Sequence, residues 1–393
     1  MARTAVVRLT RGRHERLRQG HPWVFQGEVE RITGEYQPGD IVAVVDHRGS
    51  FVGKGYINPH SQILVRILTH RDEAVDRDFF RRRLQQAWAY RTRVLPDTTA
   101  CRVVFAEADF LPGLIVDKFG DVLVVQTLSL GADRRLGEFA DLLEEIFHPR
   151  GIYERNDVPV RDLEGLPQRK GFLRGEFDPR LVLEENGLKI VVDVAEGQKT
   201  GYFLDQRENR LAVRRYAQGA RVLDCFCNAG GFALNAAAAG AREVLAVDIS
   251  AEALAAVREN AALNGLADRI QLREGNAFDI LRQLDAAGEK FDVIVLDPPA
   301  FAKNKNSLEG AVRGYKEINL RALRMIVEGG FLITCSCSYH MKPDLFKAVV
   351  ADAARDARRR LRLVEERAQA VDHPILVGYD ESHYLKCHIY QVL

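Results

Sequence analysis

The chain has 393 residues, of which 47% are hydrophobic and 28% are charged, and its formal net charge is +1. This composition excludes a disordered protein, and no apolar run reaches the roughly 20 residues that a membrane-spanning helix needs. The basic N-terminal residues have no apolar signal core behind them, and the six cysteines do not suggest a disulfide framework. We therefore expect a cytoplasmic protein with reduced thiols.

The first 70 residues alternate short apolar runs with Pro, Gly, His and Asn, a pattern that predicts a small β-barrel. Strands are expected at residues 5–9, 39–46, 51–56 and 62–68. Between the first two strands, residues 11–20 form a basic, helix-forming segment. Together with the residues just before it, this segment belongs to a basic cluster, because residues 3–18 contain six arginines and one glutamate. Such a cluster is typical either of a solvated surface or of a nucleic-acid interface.

Residues 71–187 predict a compact α+β domain. The expected elements are a helix over residues 76–94, strands at 101–106, 113–117 and 122–128, a helix over 132–147 and a strand at 151–154. This pattern is equally compatible with a structural role and with a role in positioning a partner.

From residue 188 onward, strands alternate with helices, as an α/β sheet requires. The expected strands are residues 190–194, 221–224, 243–248, 269–273, 291–296 and 330–334, with a C-terminal hairpin that includes 384–392. A basic run at residues 355–362 is predicted to lie on a surface helix.

A glycine turn follows the second of these strands. Asp224 ends that strand, Gly230 and Gly231 precede an Ala-rich helix, and the next strand ends in Asp248. Glycine permits a tight turn close to a ligand, and a carboxylate about 20 residues farther on is typical of ribose binding. The pattern therefore predicts a nucleoside ligand, but without a G-x-G-x-x-G fingerprint its kind stays open.

Two further motifs follow neighbouring strands. Asp297, Pro298 and Pro299 come directly after the strand at 291–296, and residues 334–338 (TCSCS) come after the next strand. The carboxyl ends of strands in an open α/β sheet meet at one crevice, so a rigidly held carboxylate and a thiol should face the same ligand. An ionised thiol can add to an electron-poor ring carbon, which favours chemistry on a pyrimidine ring.

The order of these motifs resembles that of class I S-adenosylmethionine-dependent methyltransferases. More narrowly, the chain resembles the bacterial 23S ribosomal RNA cytosine-5 methyltransferases that carry an N-terminal PUA domain. The resemblance rests on six motifs in order, which are residues 197–207, 224–231, Asp248, 275–278, 297–301 and 334–338. It implies a PUA domain over residues 1–70, an α+β middle domain over 71–187 and a class I, Rossmann-like methyltransferase domain over 188–393.

The resemblance also implies S-adenosylmethionine as cofactor and large-subunit ribosomal RNA as partner, with no metal and no membrane, and it leaves open whether the chain forms a homodimer. The implied cofactor-binding residues are Phe203, Asp205, Gln206, Asp224, Phe226, Asn228, Gly230, Asp248, Asn276, Ala277 and Asp297. The RNA-facing residues of the PUA domain would be Arg11, Arg13, Arg16 and Arg18. Asn276 departs from the Asp that is common in such enzymes, but its amide oxygen can still accept a hydrogen bond from an adenine amino group.

Cys337 and Asp297 are the catalytic residues that the resemblance implies. In related enzymes the attacking cysteine stands seven residues after a strand-opening Gly-Gly pair, and counting from Gly330 selects Cys337 rather than Cys335. Many RNA cytosine methyltransferases also carry a cysteine after the first proline of the acidic motif, where this chain has Pro299. The base that removes the carbon 5 proton is therefore not identified by the sequence.

Three alternatives compete with this interpretation. Cys225, Cys227, Cys335 and Cys337 could form a zinc site, although the two pairs should lie about two strand spacings, or 9 to 10 Å, apart. The chain could instead be an RNA-binding protein with an inert methyltransferase fold. Within the enzymes, base amino-methyltransferases also use acidic or amide motifs followed by two prolines, and they need no cysteine.

Overall fold

The computed structural model describes residues 5–96, 98–302 and 305–393, with the side chain of residue 305 left aside. The chain divides into two units. The first comprises Met1–Leu183, Val192–Leu204 and Val371–Ser382, and the second comprises Glu184–Val191, Asp205–Ala370 and His383–Leu393. Within the described ranges, no helix has the length and hydropathy to cross a membrane.

The first unit begins with a six-stranded sheet in the order β2-β6-β5-β4-β1-β3. Its elements are β1 (Val6–Leu9), α1 (His14–Arg18), β2 (Trp23–Phe25), β3 (Val29–Thr33), β4 (Ile41–Val45), β5 (Phe51–Ile57) and β6 (Ile63–Thr69). Along β1 and β4, buried residues alternate with partly exposed residues, so that one face of each strand is buried. This alternation explains why these two strands were predictable from the sequence.

A five-stranded sheet in the order β11-β10-β9-β8-β7 follows in the same unit. Its elements are α2 (Arg77–Val94), β7 (Ala100–Phe105), β8 (Leu114–Phe119), β9 (Val122–Thr127), α3 (Leu130–Asp133), α4 (Leu136–Phe147), β10 (Gly151–Asn156) and β11 (Arg169–Arg174). The Asp76 side chain caps α2 by accepting the backbone N–H of Phe79 at 2.9 Å. Phe79, Phe80 and Leu84 then pack into a core with residues of the sheet.

A hairpin of β12 (Arg180–Glu185) and β13 (Leu188–Asp193) precedes the large sheet of the second unit. That sheet has seven strands in the order β16-β15-β14-β17-β18-β20-β19, and β20 is antiparallel to both of its neighbours. Its elements are α5 (Arg207–Ala212), α6 (Arg214–Ala217), β14 (Arg221–Cys225), α7 (Gly231–Ala238), β15 (Glu243–Asp248), α8 (Ala251–Leu263), β16 (Ile270–Glu274), α9 (Ala277–Ala286), β17 (Phe291–Leu296), α10 (Leu308–Met325), β18 (Ile326–Ser336), α11 (Pro343–Asp356), β19 (Leu361–Arg367) and β20 (Lys386–Val392).

The order of this sheet places the predicted motifs at one edge. β14 lies beside β15 and β17, and β17 lies beside β18, all in parallel. The chain order reverses at β14, which is the switch point where α/β sheets bind ligands. Asp224, the turn after β14, Asp248, Asp297 and the TCSCS segment therefore belong to the same edge.

Most predicted elements are confirmed, with three kinds of difference. The single helix expected over residues 132–147 is instead two helices, α3 and α4, which are separated by Arg134 and Arg135. The strands β2, β3, β11 and β12 were not predicted, because they are short or carry charged residues at exposed positions. The expected helix over residues 355–362 is wrong. Helix α11 ends at Asp356, Arg358 has a left-handed backbone with φ of 57°, and β19 begins at Leu361.

Candidate active site

The loop after β14 carries the first group of predicted residues. Phe226, Asn228 and Gly230 all have left-handed backbone conformations, with φ values of 66°, 49° and 82°. A Cβ atom at Gly230 would lie 2.9 Å from Cγ1 of Val257 on α8, so the turn needs glycine for its conformation and for its close packing. The loop thus reverses direction sharply and delivers the chain into α7.

Asp224 lies beneath this loop and is fully buried. Its Oδ2 accepts the backbone N–H of Ala233 in α7 at 2.9 Å, whereas Oδ1 has no hydrogen-bond partner among the described residues. Burial raises the pKa of Asp224 well above its usual value, and the nearby carboxylates of Asp297 and Asp248 raise it further. A buried acceptor without a donor is unfavourable, so a donor from a bound ligand would be stabilising there.

Asp248 connects three loops at the edge of the sheet. Its Oδ2 accepts the backbone N–H of Asn228 at 2.9 Å, and its Oδ1 accepts that of Ser250 at 3.0 Å. Its carbonyl oxygen accepts the N–H of Gly275 at 2.9 Å. The carboxylate is half-buried, and so it holds the turn after β14 in place while part of its surface remains accessible.

Asn276 and Ala277 begin α9 beside this carboxylate. The Asn276 Oδ1 accepts the backbone N–H of Phe278 at 2.9 Å and caps the helix, while the residue itself is exposed. An amide oxygen has two lone pairs, so the cap leaves one for a ligand donor. Ala277 is buried against the core.

Asp297 follows β17 and is half-buried, with the buried Pro298 after it. The Gln206 Nε2 donates to Asp297 Oδ1 at 2.9 Å. Gln206 Oε1 in turn accepts from Asn209 Nδ2 at 2.7 Å, and Asn209 Oδ1 accepts from Arg367 Nε at 3.0 Å. Gln206, predicted from the resemblance to bind the cofactor, is thus placed by this chain of hydrogen bonds to orient the Asp297 carboxylate.

The six cysteines, all of which lie in the described residues, differ sharply in exposure. Cys337 is half-buried, and Cys101, Cys225, Cys227, Cys335 and Cys387 are buried. The Cys337 Sγ lies 3.9 Å from the carbonyl oxygen of Pro298, so the thiol is next to the acidic motif. Cys335 lies directly opposite Cys387 in the β18–β20 pair, and its hydrogen bond to Cys387, with burial, raises the pKa of the Cys335 thiol well above its usual value.

Tyr315 anchors the segment that carries Cys337. Its fully buried hydroxyl accepts a hydrogen bond from Ser336 Oγ at 2.9 Å and lies 3.2 Å from Ser338 Oγ. Burial raises the pKa of Tyr315 to about 12, so the phenol stays neutral and can serve as donor and acceptor at once. Both neighbours of Cys337 are thereby fixed, a role that the helical pattern of α10 did not reveal.

Two other predicted residues come from the segment before α5. Asp205 is buried, and its carboxylate accepts the hydroxyl of Tyr384 at 2.5 Å while its carbonyl accepts the N–H of Ala370 at 2.8 Å. Phe203 belongs to the first unit, where the Lys199 ammonium lies 4.6 Å from the centre of its ring.

The predicted RNA-facing arginines of the first unit fall into two groups. Arg11 and Arg13 are exposed in the turn before α1. Arg16 forms an ion pair with Glu28 at 2.8 Å and donates to the carbonyl of Trp23, and Arg18 lies 3.7 Å from Asp46. Arg3, which contributes to the same basic cluster, lies outside the described residues.

The four-cysteine alternative has no geometric support. In the part of the chain that the structure describes, no group of three or more His, Cys, Asp or Glu side chains is placed to hold a metal ion. The sheet order also puts β17 between β14 and β18, which carry the two cysteine pairs.

Comparison with known proteins matches both parts of the chain to families. Residues 7–70 match a PUA-like domain, and residues 169–389 match an S-adenosylmethionine-dependent methyltransferase. The protein named ribosomal RNA large subunit methyltransferase I from Shewanella denitrificans is 47% identical over 386 residues, which cover 97% of each chain. The protein of the same name from Tolumonas auensis is 45% identical over 389 residues, or 98% of each chain.

A solved structure shows the same fold over nearly the whole length. SMU.776, a protein proposed to be a methyltransferase and crystallised with SAH, aligns with a TM-score of 0.86 at 21% identity over 98% of this chain and 99% of its own. The predicted fold, with an N-terminal PUA-like domain and a C-terminal class I methyltransferase domain, is therefore confirmed. The chain belongs to the S-adenosylmethionine-dependent methyltransferase family that includes the ribosomal RNA large subunit methyltransferases I.

Proposed function

We propose that this enzyme methylates carbon 5 of a cytidine in large-subunit ribosomal RNA. The observation that carries the proposal is the 3.9 Å approach of the half-buried Cys337 thiol to the carbonyl of Pro298, the residue after Asp297. A nucleophile and an oriented carboxylate are thereby combined at the edge that also carries the cofactor motifs. The RNA substrate follows from the names of the relatives, and it agrees with the cytoplasmic location that the sequence predicts.

S-adenosylmethionine, when bound, supplies an electrophilic methyl group on its sulfonium sulfur. The residues that would hold it are Asp224, the turn through Asn228 and Gly230, Asp248 and Asn276. The unsatisfied Asp224 Oδ1, the close-packed Gly230 and the accessible part of Asp248 all fit a ligand that offers hydroxyl or amino donors.

Cys337 would open the reaction, because carbon 5 of cytosine is a poor nucleophile by itself. The thiolate forms a bond to carbon 6, and the electrons of the 5,6 double bond move to carbon 5, which becomes nucleophilic. After methylation the carbon 5 proton leaves to water or another base. The sulfur–carbon bond then breaks, its electron pair returns to sulfur, and the double bond is restored.

Asp297 would stabilise the ring as this addition proceeds. Its carboxyl group can accept a hydrogen bond from the exocyclic amine, which orients the ring, or, when protonated, donate one to N3, which withdraws electron density from carbon 6. The hydrogen bond from Gln206 sets the orientation of the group before substrate arrives. Preorganisation of this kind is where enzymes gain most electrostatic stabilisation.

The first unit would supply RNA affinity. Arg11 and Arg13 are exposed and suited to phosphate, whereas Arg16 is held by Glu28. We therefore assign phosphate contact chiefly to Arg11 and Arg13. Arg18 would contribute less, because it lies near Asp46, and Arg16 would hold the local structure through its ion pair with Glu28.

The test uses RNA with 5-fluorocytidine at the target position, which is found by mapping ribosomal RNA methylation with and without the protein. Fluorine replaces the proton that must leave, so thiolate addition followed by methyl transfer to carbon 5 should leave a covalent protein–RNA adduct that survives a denaturing gel. Cys337→Ala should abolish both the adduct and turnover, and Cys335→Ala should retain both. Full turnover by Cys337→Ala would instead favour amino-methylation centred on Asp297.

A further inference from the structure

Lys386 is a buried lysine on β20 that the reaction outlined above does not use. It is 2% exposed and lies opposite Ser336 in the β18–β20 pair. Its Nζ donates to the carbonyl oxygens of Ser338 at 2.7 Å and Tyr384 at 2.8 Å. Lysine is almost never buried this far without a partner of opposite charge, yet none of the carboxylates in the described ranges forms an ion pair with it.

Among the described residues, the Cys337 thiol is a candidate for the opposite charge beside Lys386. Ser338 directly follows Cys337, so the ammonium is hydrogen-bonded to the residue next to the half-buried thiol, and a negative charge on Cys337 raises the pKa of Lys386. A thiolate at Cys337 would provide the negative charge that Lys386 lacks. An unpaired charge in a protein interior is unfavourable, so each of the two ions would stabilise the other.

Other titratable groups near this pair do not offer the same interaction. Tyr315 on α10 also faces Cys337, but burial keeps its phenol neutral. His388, two residues farther along β20, is buried with its pKa lowered to about 4 by burial, so it is neutral at physiological pH. Lys342 is exposed, so its charge is screened by solvent, and an ionised Asp297 carboxylate would oppose a thiolate instead of stabilising it.

We propose that Lys386 is a positioning residue for Cys337, whose ammonium group fixes the Cys337–Ser338 segment and stabilises the Cys337 thiolate. This inference rests on the proposed function only in assigning Cys337 as the nucleophile. The interaction between the two side chains is a property of the protein without substrate.

The ammonium–thiolate pair can form whether Lys386 starts as a charged ammonium or as a neutral amine. When Lys386 is charged, ionisation of the thiol releases its proton to solvent and leaves an ammonium–thiolate pair. Burial lowers the pKa of Lys386 to about 8, close to that of an ordinary thiol, so a neutral amine can also take up the thiol proton by way of water. The S–H bond then breaks, an N–H bond forms, and the same ion pair results.

The experiment measures alkylation of Cys337 by iodoacetamide from pH 6 to 10 in the full-length protein, with peptide mass spectrometry to isolate this thiol. Lys386→Met should move the half-point of the rate profile upward by about one pH unit or more, the usual effect of removing an opposite charge. Lys342→Met, which removes an exposed positive charge nearby, should leave the half-point within a few tenths of a unit. An unchanged profile in folded Lys386→Met would overturn the proposal.

Lys386→Arg provides a second measurement, which is decisive if the methionine variant fails to fold. The guanidinium stays charged throughout this pH range. The half-point of the Cys337 alkylation rate should therefore stay low, and any change in rate near pH 8 that comes from titration of Lys386 should disappear. An Arg variant with the profile expected for Met would also refute the role of the charge. In methylation assays, Lys386→Met should lower kcat about tenfold or more at pH 7.5 while leaving the KM for RNA near that of the wild type, since it acts through the thiol.

Failure of this inference is distinguishable from failure of the proposed function. Turnover retained in Cys337→Ala would refute cysteine-dependent chemistry whatever the alkylation profiles show. A profile that shifts in Lys386→Met would still establish the coupling between the two side chains, because alkylation requires neither RNA nor cofactor.

Discussion

The ends of β14 and β18 carry the same short pattern, two cysteines separated by one residue, and yet their chemistry differs. At the end of β14 the pair is Cys225 and Cys227, and both thiols are buried. At the end of β18 the pair is Cys335 and Cys337, and the second thiol is only half-buried. The backbone around the end of each strand therefore decides how reactive the second thiol is. The left-handed turn at Phe226 directs Cys227 into the protein interior. The serines that Tyr315 holds leave Cys337 accessible.

The largest expected effect is on thiol reactivity, which tests this contrast directly. In native protein at pH 8, iodoacetamide should label Cys337 at least about 100-fold faster than Cys227, because burial raises the pKa of the Cys227 thiol and shields it from the reagent. Quantitative mass spectrometry of the two peptides gives the ratio. Unfolding in guanidinium should equalise the rates, and comparable labelling in the native state would contradict the assigned difference between the loops.

The next effect concerns the carboxylate that holds the turn after β14. Asp248→Ala removes two backbone hydrogen bonds and a predicted ribose contact, and it should weaken S-adenosylmethionine binding by about 1.5 to 3 kcal/mol, or roughly 10- to 150-fold. Titration calorimetry measures this change. Asp268→Ala removes an exposed carboxylate from the segment before β16 and should bind as the wild type does. Unchanged affinity in Asp248→Ala would remove this residue from the site.

The smallest effect is a pH-dependent change in stability at Asp224. Its folded-state pKa is raised by burial, so the stabilising contribution is present below the unfolded value near 3.9 and is lost as pH rises through the folded pKa. Asp224→Asn cannot ionise, and its Tm relative to the wild type should therefore increase with pH. We expect a gain of a few degrees by pH 8, since about 1 kcal/mol corresponds to 2–4 °C in a domain of this size.

Scanning calorimetry at pH 5, 6.5 and 8 measures that difference without cofactor. Asp268→Asn, an exposed counterpart, should give a difference that does not vary with pH. A difference that is equally flat for Asp224→Asn would mean that Asp224 is not penalised when ionised. The binding and stability measurements together distinguish Asp248, which holds the turn after β14 in place, from Asp224, whose ionisation destabilises the fold.

The sequence by itself determined the sheet and the position of its motifs. The run Phe291–Leu296 is buried except at Asp292, and a short apolar run of this length between turn residues favours a central strand. The tight turn at Gly230 was also predictable, because glycine between a strand and a helix favours such a turn. The structure adds the reason, which is a left-handed backbone packed against Val257. Cys337 is selected by the register that the family resemblance implies, and the structure adds the exposure that distinguishes it from Cys335.

Only the tertiary structure decided which side chains support these groups. Gln206 and Arg367 are 161 residues apart and yet belong to one chain of hydrogen bonds that ends on Asp297, and Tyr315 reaches the serines of another strand. Lys386 looks like any strand lysine until its burial and its carbonyl partners are known. Periodicity records which face of an element is apolar, whereas a polar contact depends on the distance between atoms that the fold brings together from remote positions.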